Sequence, residues 1–344
     1  MSAFIRDIAY YLPRQELTND QLADPAAGWD AAKILEKTGI AIRRIAAPGE
    51  CSSDLAVAAA EALFARGACD RDDIDFLLLC TQSPDYFLPT TACLVQERLK
   101  LRTSCGAIDI NQGCSGFVYG LALAKSLIET GLAHKVLLIT AETYSKFINE
   151  RDRSVRTIFG DAAAATLVTS DSDAPHDLIG PFVFGTDGRG AKNLIVPAGG
   201  MRHPLSKETS VEHEEKNNWR SEENLYMNGP EIFNFTLSVV PKAVDQLLAR
   251  AGISHADVDY YVFHQANRFM IERLRTKIGI APERFCVDME SCGNTVSSTI
   301  PIALRNAIDS GKVAPGASIM VVGFGVGYSW AAAMIKNAAE GGRF

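Results

Sequence analysis

The chain has 344 residues, of which 47% are hydrophobic and 22% charged, and its formal net charge is −7 at pH 7. This length and apolar content suffice for a large core and predict two domains or two fused halves. The acidic balance argues against a nucleic-acid-binding protein, because binding to phosphates requires a basic surface.

No export signal or membrane segment is visible in the sequence. The N-terminal residues lack a basic segment followed by an apolar stretch, and no apolar run reaches the roughly 20 residues that a spanning helix needs. We therefore expect a cytoplasmic protein without membrane association. The eight cysteines contain no C-x-x-C pair, so neither a metal site nor a redox dithiol is predicted, and disulfides are not expected.

The first part of the chain is predicted to alternate strands and helices, with short apolar runs as buried strands. The predicted strands are 4–11, 75–81, 106–110, 136–140 and 162–169, and the predicted helices are 54–66, 91–99 and 115–130. Ser53 or Asp54 is expected to cap the helix at 54–66, and Gly131 to close the one at 115–130. Residues 171–177 predict a surface connection between halves of 1–172 and 178–344.

The second half resumes the alternation after a polar stretch. Residues 186–228 are rich in glycine and then in charge, and we expect them to form an excursion near the cleft rather than core. Helices are predicted at 232–251, 268–278 and 297–310, and strands at 259–263, 285–289, 318–322 and 329–336. Strands that alternate with helices indicate a layered α/β fold with mostly parallel central sheets.

The two halves resemble each other in sequence. DFLLL at 75–79 corresponds to DYYVF at 259–263, and a run ending in glycine precedes each. We infer a duplicated α/β unit with a cleft between its copies. Cys114 and Asn294 occupy matched positions, each expected to open the helix after its buried strand, and His264 ends the strand at 259–263.

Cys114 lies in a glycine-flanked turn, Gly113-Cys114-Ser115-Gly116, between a predicted strand and a predicted helix. At a helix N-terminus, free N–H groups and the macrodipole favour the thiolate over the thiol. A nucleophile held on such a turn is typical of acyl transfer. The alternative is that Cys114 only packs, with the glycines making room.

His264 and Asn294 are the candidate partners of Cys114. The carboxyl end of a central strand is where α/β sheets bind ligands, so His264 suits proton transfer or hydrogen bonding to an oxyanion. Asn294 suits donation to an enolate. The alternatives are a buried core histidine and a helix-capping asparagine. The glycine-rich segment 323–327 is poorly placed for a dinucleotide loop, and it indicates a tight turn whose N–H groups form an oxyanion hole.

Together these motifs resemble the β-ketoacyl-acyl carrier protein synthase III family of the thiolase superfamily over nearly the whole chain. The five motifs, in family order, are Gly113-Cys114-Ser115-Gly116, Phe159-Gly160-Asp161, His264-Gln265-Ala266-Asn267, Gly293-Asn294-Thr295 and Gly323-Phe324-Gly325. The resemblance implies a thiolase-like α/β fold with duplicated βαβαβαββ halves in five layers, α-β-α-β-α. It also implies a homodimer and no cofactor.

The resemblance implies a two-stage reaction. Cys114 takes an acyl group from acyl-CoA, and His264 and Asn294 then bind a malonyl-type thioester, carried by acyl carrier protein or CoA, and stabilise the enolate left by CO2. The backbone N–H groups of Cys114 and Val326 correspond to the family's oxyanion hole. The implied substrate-binding residues are Arg153, Asn267, Phe324 and Leu88.

Several positions depart from the family pattern. Leu88 replaces an aromatic residue that often limits the acyl tunnel. Lys33 stands where a tryptophan commonly stacks on the CoA adenine, with Trp29 as a nearby substitute. Phe269 stands where a basic residue usually helps to dock the carrier protein. These departures favour a specialised synthase with another starter or acceptor over fatty-acid initiation with an acetyl starter.

Other functions compete for the same residues. An acyltransferase that moves the acyl group to oxygen or nitrogen would need Cys114 and His264 without decarboxylation, and the retained Asn294 argues for condensation. A papain-like protease would show a different sequence around its cysteine and no duplication. A degradative thiolase would need a second cysteine in the turn at 323–327, and a silent dimer partner would have lost Cys114.

Overall fold

The computed structural model describes residues 2–24, 29–171 and 178–337. Five strands form the first central sheet, in the spatial order β1 (Ser2–Tyr11), β7 (Ala162–Asp171), β6 (Lys135–Glu142), β4 (Phe76–Cys80) and β5 (Gly106–Ile110). β4 runs parallel to β5 and β6, whereas β7 runs antiparallel to both of its neighbours. The strands predicted in this half are therefore confirmed, and β6 is buried from its second residue to its last. β5, which was expected to be buried, is not, because it is the edge strand of the sheet.

Four strands form the second central sheet, in the order β13 (Tyr260–Phe263), β14 (Ser318–Gly325), β15 (Ser329–Lys336) and β8 (Ile179–Thr186). β8 was not predicted. The strand predicted at 285–289 is wrong, because only Phe285 makes an isolated parallel bridge, to Tyr261. Beyond it, the backbone N–H of Asp288 donates to the side chain of Gln265 at 2.7 Å instead of to a neighbouring strand.

Helices separate and cover the two sheets. α5 (Gly116–Glu129) and α9 (Thr299–Asp309) lie between them and contact both. α3 (Ser52–Ala65) and α4 (Thr91–Arg98) cover the first sheet, and α7 (Gly229–Ala251) covers the second, with α8 (Arg268–Ile278) packed on α7. The five layers of the predicted fold are thus present.

The central layer depends on close approach between helix and sheet. A Cβ atom added at Gly120 would lie 2.5 Å from Leu138 of β6, so α5 packs this tightly only because the residue is glycine. At the start of α3, the expected cap is corrected. Cys51 is the N-cap residue, and the Asp54 carboxylate accepts from the Cys51 N–H at 2.7 Å from within the helix.

The shorter elements are β2 (Gln15–Thr18), α1 (Asn19–Leu22), α2 (Ala31–Thr38), β3 (Ile42–Ile45), α6 (Arg153–Arg156), β9 (Leu194–Ile195), β10 (His213–Glu215), β11 (Asn218–Arg220) and β12 (Tyr226–Met227). The division at 172 and 178 stays a prediction, and the connection expected at 171–177 lies outside the described residues from 172 onward. In the described ranges, no helix is long and apolar enough to cross a membrane. The same ranges hold no cluster of three or more metal-ligating side chains.

Candidate active site

A cleft of about 750 Å³ brings Cys114, His264 and Asn294 together. Phe324 of the Gly323-Phe324-Gly325 motif and Asn267 of the His264-Gln265-Ala266-Asn267 motif line the same cleft. The three candidate groups come from the turn before α5, the end of β13 and the segment before α9. The spatial meeting that the sequence predicted is therefore observed.

Cys114 lies in a close-packed turn two residues before α5, whose N-cap is Ser115. The C-terminal glycine turn packs directly on it, since a Cβ atom at Gly325 would lie 2.8 Å from the Cys114 sulfur. The expectation that the cysteine itself opens the helix is therefore off by two residues. Glycine at 325 allows the backbone of the second half to reach the sulfur.

The surroundings of Cys114 oppose ionisation of its thiol. Burial and, after it, the nearby Glu142 raise the pKa of the thiol to about 12, although the backbone N–H groups of Val326 and Cys114 hydrogen-bond to the sulfur and oppose this. Desolvation therefore works against the expected thiolate, which stays a prediction. These two N–H groups are the ones that the family resemblance implied for the oxyanion hole.

His264 is held as a neutral imidazole. It is 2% exposed, and burial lowers its pKa to about 3, against a weaker opposing hydrogen bond to the Val296 backbone. Its Nδ1 lies 2.7 Å from the Oγ1 of Thr299, and its ring meets that of Phe324 edge-on, with centroids 5.5 Å apart. Both contacts fix the plane of the imidazole, so that the ring has a defined orientation in the cleft.

The backbone of Asn294 is anchored to the first half of the chain. Its N–H donates to the carbonyl of Ile158 at 2.9 Å, and its carbonyl accepts from Gly160 at 3.0 Å. Its side-chain Oδ1 accepts from the N–H of Val296 at 2.9 Å, which leaves the amide nitrogen to donate. A 3-10 helix at Val296–Ser298 leads directly into α9 at Thr299, so the helical segment starts two residues after Asn294 and the expectation is off by two residues.

Comparison with known proteins decides the family. A family model described as 3-oxoacyl-[acyl-carrier-protein (ACP)] synthase III matches residues 108–188, and the model of its C-terminal region matches residues 248–337. The chain is similar to the β-ketoacyl-[acyl-carrier-protein] synthase III of Caldanaerobacter subterraneus subsp. tengcongensis, with 37% identity over 339 residues and 98% of each chain covered. The chain belongs to the β-ketoacyl-acyl carrier protein synthase III family.

Solved structures agree with the assignment to the synthase III family. A crystal structure of a 3-oxoacyl-(acyl-carrier-protein) synthase III superposes with a TM-score of 0.96 at 55% identity, covering 97% of this chain and 99% of that one. A 3-oxoacyl-(acyl-carrier protein) synthase from Burkholderia xenovorans LB400 gives a TM-score of 0.88 at 37% identity, covering 98% and 95%. The predicted family, the thiolase-like fold and the enzyme class are confirmed.

Two residues that the synthase III resemblance assigned to substrate binding lie elsewhere. Leu88 is 82% exposed and is not among the residues that line the cleft of its own chain. Arg153 forms an ion pair with Asp24 beside a neighbouring cavity. Asn267 does line the cleft, and its Oδ1 also accepts from the N–H of Met270 and caps α8.

The predicted excursion at 186–228 supplies part of the wall of the cleft. Four residues of the β10–β11 hairpin line the cleft, namely Glu215, Lys216, Asn218 and Arg220. Trp29 and Lys37 line it as well. The Lys37 ammonium lies 5.4 Å from the centre of the Trp29 ring. The charged side chains of this segment therefore line the same cleft as Cys114.

Sequence reasoning missed Glu142, which ends β6 beside Cys114. Its carboxyl group accepts hydrogen bonds from the Ser297 hydroxyl at 2.9 Å, the Gln82 N–H at 3.1 Å and the Ser83 hydroxyl at 3.2 Å. Burial raises its pKa to about 8. The signal that could have found it is an ionisable residue at the end of an otherwise apolar strand.

Proposed function

We propose that this protein condenses an acyl starter, carried on Cys114, with a malonyl thioester and releases CO2. The convergence of Cys114, His264 and Asn294 in one cleft carries this proposal. In the first stage, the Cys114 sulfur attacks the thioester carbonyl of acyl-CoA and the bond to the CoA sulfur breaks. The acyl group then remains on Cys114 while CoA leaves.

The backbone N–H groups of Cys114 and Val326 stabilise the oxyanion of this first stage. Both lower the pKa of the Cys114 thiol, so they lie near the sulfur and within reach of a carbonyl oxygen attached to it. Oriented donors in a site sheltered from water stabilise developing negative charge more strongly than water does. The glycines at 323 and 325 permit this approach, because side chains there would collide with Ser115 and Cys114.

His264 and Asn294 serve the second stage. Loss of CO2 from the malonyl group leaves an enolate, whose oxygen is stabilised by donors from the imidazole and the Asn294 amide. The enolate carbon attacks the acyl-Cys114 carbonyl, a carbon–carbon bond forms, and the sulfur leaves. The similar proteins are named for acyl carrier protein, and we propose that the malonyl group arrives on that carrier.

The starter is proposed to occupy a second cavity of about 370 Å³, which shares Leu194 with the cleft and is bounded by Val326 and Gly327. Polar groups form one side of this cavity. The Tyr144 hydroxyl donates to the side-chain Oε1 of Gln82 at 2.6 Å, and the side-chain Nε2 of Gln82 donates to the Oδ1 of Asn111 at 3.2 Å. This lining supports a specialised synthase whose starter carries a polar group.

A homodimer is proposed from exposed apolar surface. Tyr86, Phe87 and Leu88 are 62%, 77% and 82% exposed, and β5 is the edge strand of the first sheet. Apolar clusters and open edges of this kind are typically covered by a partner. Since Leu88 does not line its own cleft, its predicted role in the tunnel requires that a second copy receives it.

The proposed function is tested in two steps with the wild-type enzyme. The protein is first incubated with a panel of acyl-CoA thioesters and weighed intact, and the acylated enzyme is then supplied with malonyl-acyl carrier protein. We expect one acyl mass per chain, followed by CO2 release and a β-ketoacyl product. Transfer of the acyl group to an oxygen or nitrogen acceptor without CO2 release would instead identify the rival acyltransferase.

A further inference from the structure

The cleft connects the surface of the protein with the buried nucleophile. Cys114 is 4% exposed, whereas Lys37, Glu215 and Lys216 line the same cleft and are exposed. In the described part of the chain, the charged lining consists of three cationic side chains, Lys37, Lys216 and Arg220, and one carboxylate, Glu215. The chain as a whole carries −7. A positive cleft in an acidic protein attracts an anionic ligand.

The β10–β11 hairpin is anchored to the first half of the chain through β11. The Arg220 guanidinium forms an ion pair with Asp152 at 3.1 Å, and the Asp152 side chain is 1% exposed. The same guanidinium lies 4.7 Å from the centre of the Tyr226 ring. The Oδ1 of Asn218 accepts from the N–H of Ser154 at 3.3 Å. Because breaking a buried ion pair is costly, these contacts hold the hairpin in a defined position beside the cleft.

The turn of this hairpin places Lys216 in the cleft. Lys216 and Asn217 adopt φ values of +53° and +63°, as both central residues of a type I′ turn do. Glu215, the preceding residue, forms an ion pair within the hairpin. Among the residues that the structure describes, the Lys216 ammonium group has no ion-pair partner. Lys37 packs on the Trp29 ring instead, so Lys216 is left to bind a ligand.

We propose that Lys216 binds a phosphate group of the thioester carrier, which makes the β10–β11 hairpin a recognition element for that carrier. This inference rests on the proposed function, in which the thioesters arrive on CoA or on acyl carrier protein. Both carriers hold the reactive sulfur at one end of a pantetheine arm, and the other end is a phosphate ester. With the thioester at Cys114, the arm extends along the cleft toward its exposed side chains, where the ammonium group forms a charge-assisted hydrogen bond with the phosphate.

The contact between Lys216 and the phosphate contributes to binding rather than to the chemical steps. The whole pantetheine arm separates the phosphate from the reacting carbonyl, so the ion pair is equally strong in the ground state and in the transition state. Uniform binding of this kind lowers the half-saturating concentration and leaves the maximal rate unchanged. Because Lys216 is exposed, salt should weaken the contact.

The test compares lysine variants of the full-length enzyme on thioesters with and without a phosphate. Lys216→Ala removes the cation, and Lys216→Arg keeps it. Lys207→Ala is the matched control, because Lys207 is an exposed lysine of the same excursion and is not among the residues that line the cleft. Single-turnover acylation of Cys114 is followed by intact mass with one acyl group carried on CoA or on phosphate-free pantetheine. Malonyl-acyl carrier protein is the substrate for the second stage.

In Lys216→Ala, we expect the half-saturating concentration to rise about tenfold for phosphate-bearing substrates and to stay unchanged for acyl-pantetheine, with maximal rates within about twofold. Lys216→Arg and Lys207→Ala should match the wild type. A rise for acyl-CoA alone assigns the contact to CoA, a rise for malonyl-acyl carrier protein alone assigns it to the carrier protein, and a rise for both assigns it to the shared arm. Unchanged values for both carriers, or an equal rise for acyl-pantetheine, would overturn the proposal.

A binding measurement separates this proposal from the proposed function. If no acyl-CoA labels the wild type, the proposed function fails, and calorimetry with free CoA and with phosphopantetheine-bearing acyl carrier protein then tests Lys216 by itself. Binding of either carrier that is about tenfold weaker in Lys216→Ala than in Lys207→Ala would support the contact. Unchanged binding of both carriers would overturn it.

Discussion

Asn294 and Phe159 form a parallel β-bridge that joins the two halves of the enzyme at the cleft. Through this bridge, the backbone of the first half fixes the position of the Asn294 side chain. Gly160, the next residue, allows it, because a Cβ atom there would collide with the carbonyl oxygen of Cys292. The motif Phe159-Gly160-Asp161 therefore needs glycine at its centre, because the two halves approach each other closely there.

Gly160→Ala should therefore weaken both fold and activity. We expect the free energy of unfolding to fall by about 1–3 kcal/mol, as overpacking does, together with a loss of condensation. Gly49→Ala is the control, since a Cβ atom there meets nothing within 4 Å. Urea unfolding of both variants measures the difference, and equal stabilities would show that the seam tolerates extra volume.

Asn294→Ala should separate the two stages of the reaction. The amide is proposed to act only on the malonyl thioester, so acylation of Cys114 should continue. Release of CO2 from malonyl-acyl carrier protein should fall about 100-fold or more, as expected when an oxyanion donor is removed. The CO2 is measured with malonyl-acyl carrier protein whose malonyl group carries a carbon label. Decarboxylation at the wild-type rate in Asn294→Ala would favour simple acyl transfer.

Glu142→Gln should change how stability depends on pH. The pKa of Glu142 is about 8 in the folded enzyme, above the roughly 4.3 of an unfolded glutamate. The stabilisation by its proton is complete below about pH 4.3 and is lost as pH rises through about 8.

The amide that this substitution introduces does not ionise, so Glu142→Gln should gain stability relative to wild type across that window, on the order of 5 kcal/mol in total. Denaturant unfolding at several pH values measures this gain. Glu36→Gln, at an exposed position of α2, controls for a change of surface charge. A constant difference between wild type and Glu142→Gln would contradict the buried proton.

Gln82→Leu should shift the choice of starter. The substitution breaks the hydrogen-bonded chain from Tyr144 to Asn111 and makes one wall of the second cavity apolar. Acylation by simple alkanoyl-CoA thioesters should rise relative to hydroxylated or oxidised ones, by about tenfold for one lost hydrogen bond. Competition between paired thioesters, read by intact mass, measures the ratio. An unchanged ratio would place the starter elsewhere.

Much of this structure follows from sequence because buried strands have a recognisable apolar pattern. The apolar runs that became β4, β6 and β14 predict strands on their own, and glycine-flanked turns mark the ends where Cys114 and Asn294 lie. The strand predicted at 285–289 was wrong because the backbone N–H of Asp288 hydrogen-bonds to the side chain of Gln265 instead of to another strand. A local sequence pattern does not show such a hydrogen-bond partner.

The candidate site was predicted less completely than the fold. Its three reacting groups stand in recognisable motifs. The raised pKa of Cys114 and the contact between Thr299 and His264 depend on burial and on residues far away in sequence. Only the packed structure brings these together, so neither could be read from composition or spacing.

The most direct test of the account is the intact mass of the protein after incubation with an accepted acyl-CoA. Wild type and Cys80→Ala should each gain one acyl group, because Cys80 is a buried thiol that donates a hydrogen bond to the backbone carbonyl of Gln112 at 3.1 Å and has no proposed role. Cys114→Ala should gain none. An acyl mass on Cys114→Ala, or its loss in Cys80→Ala alone, would contradict the assignment of the nucleophile.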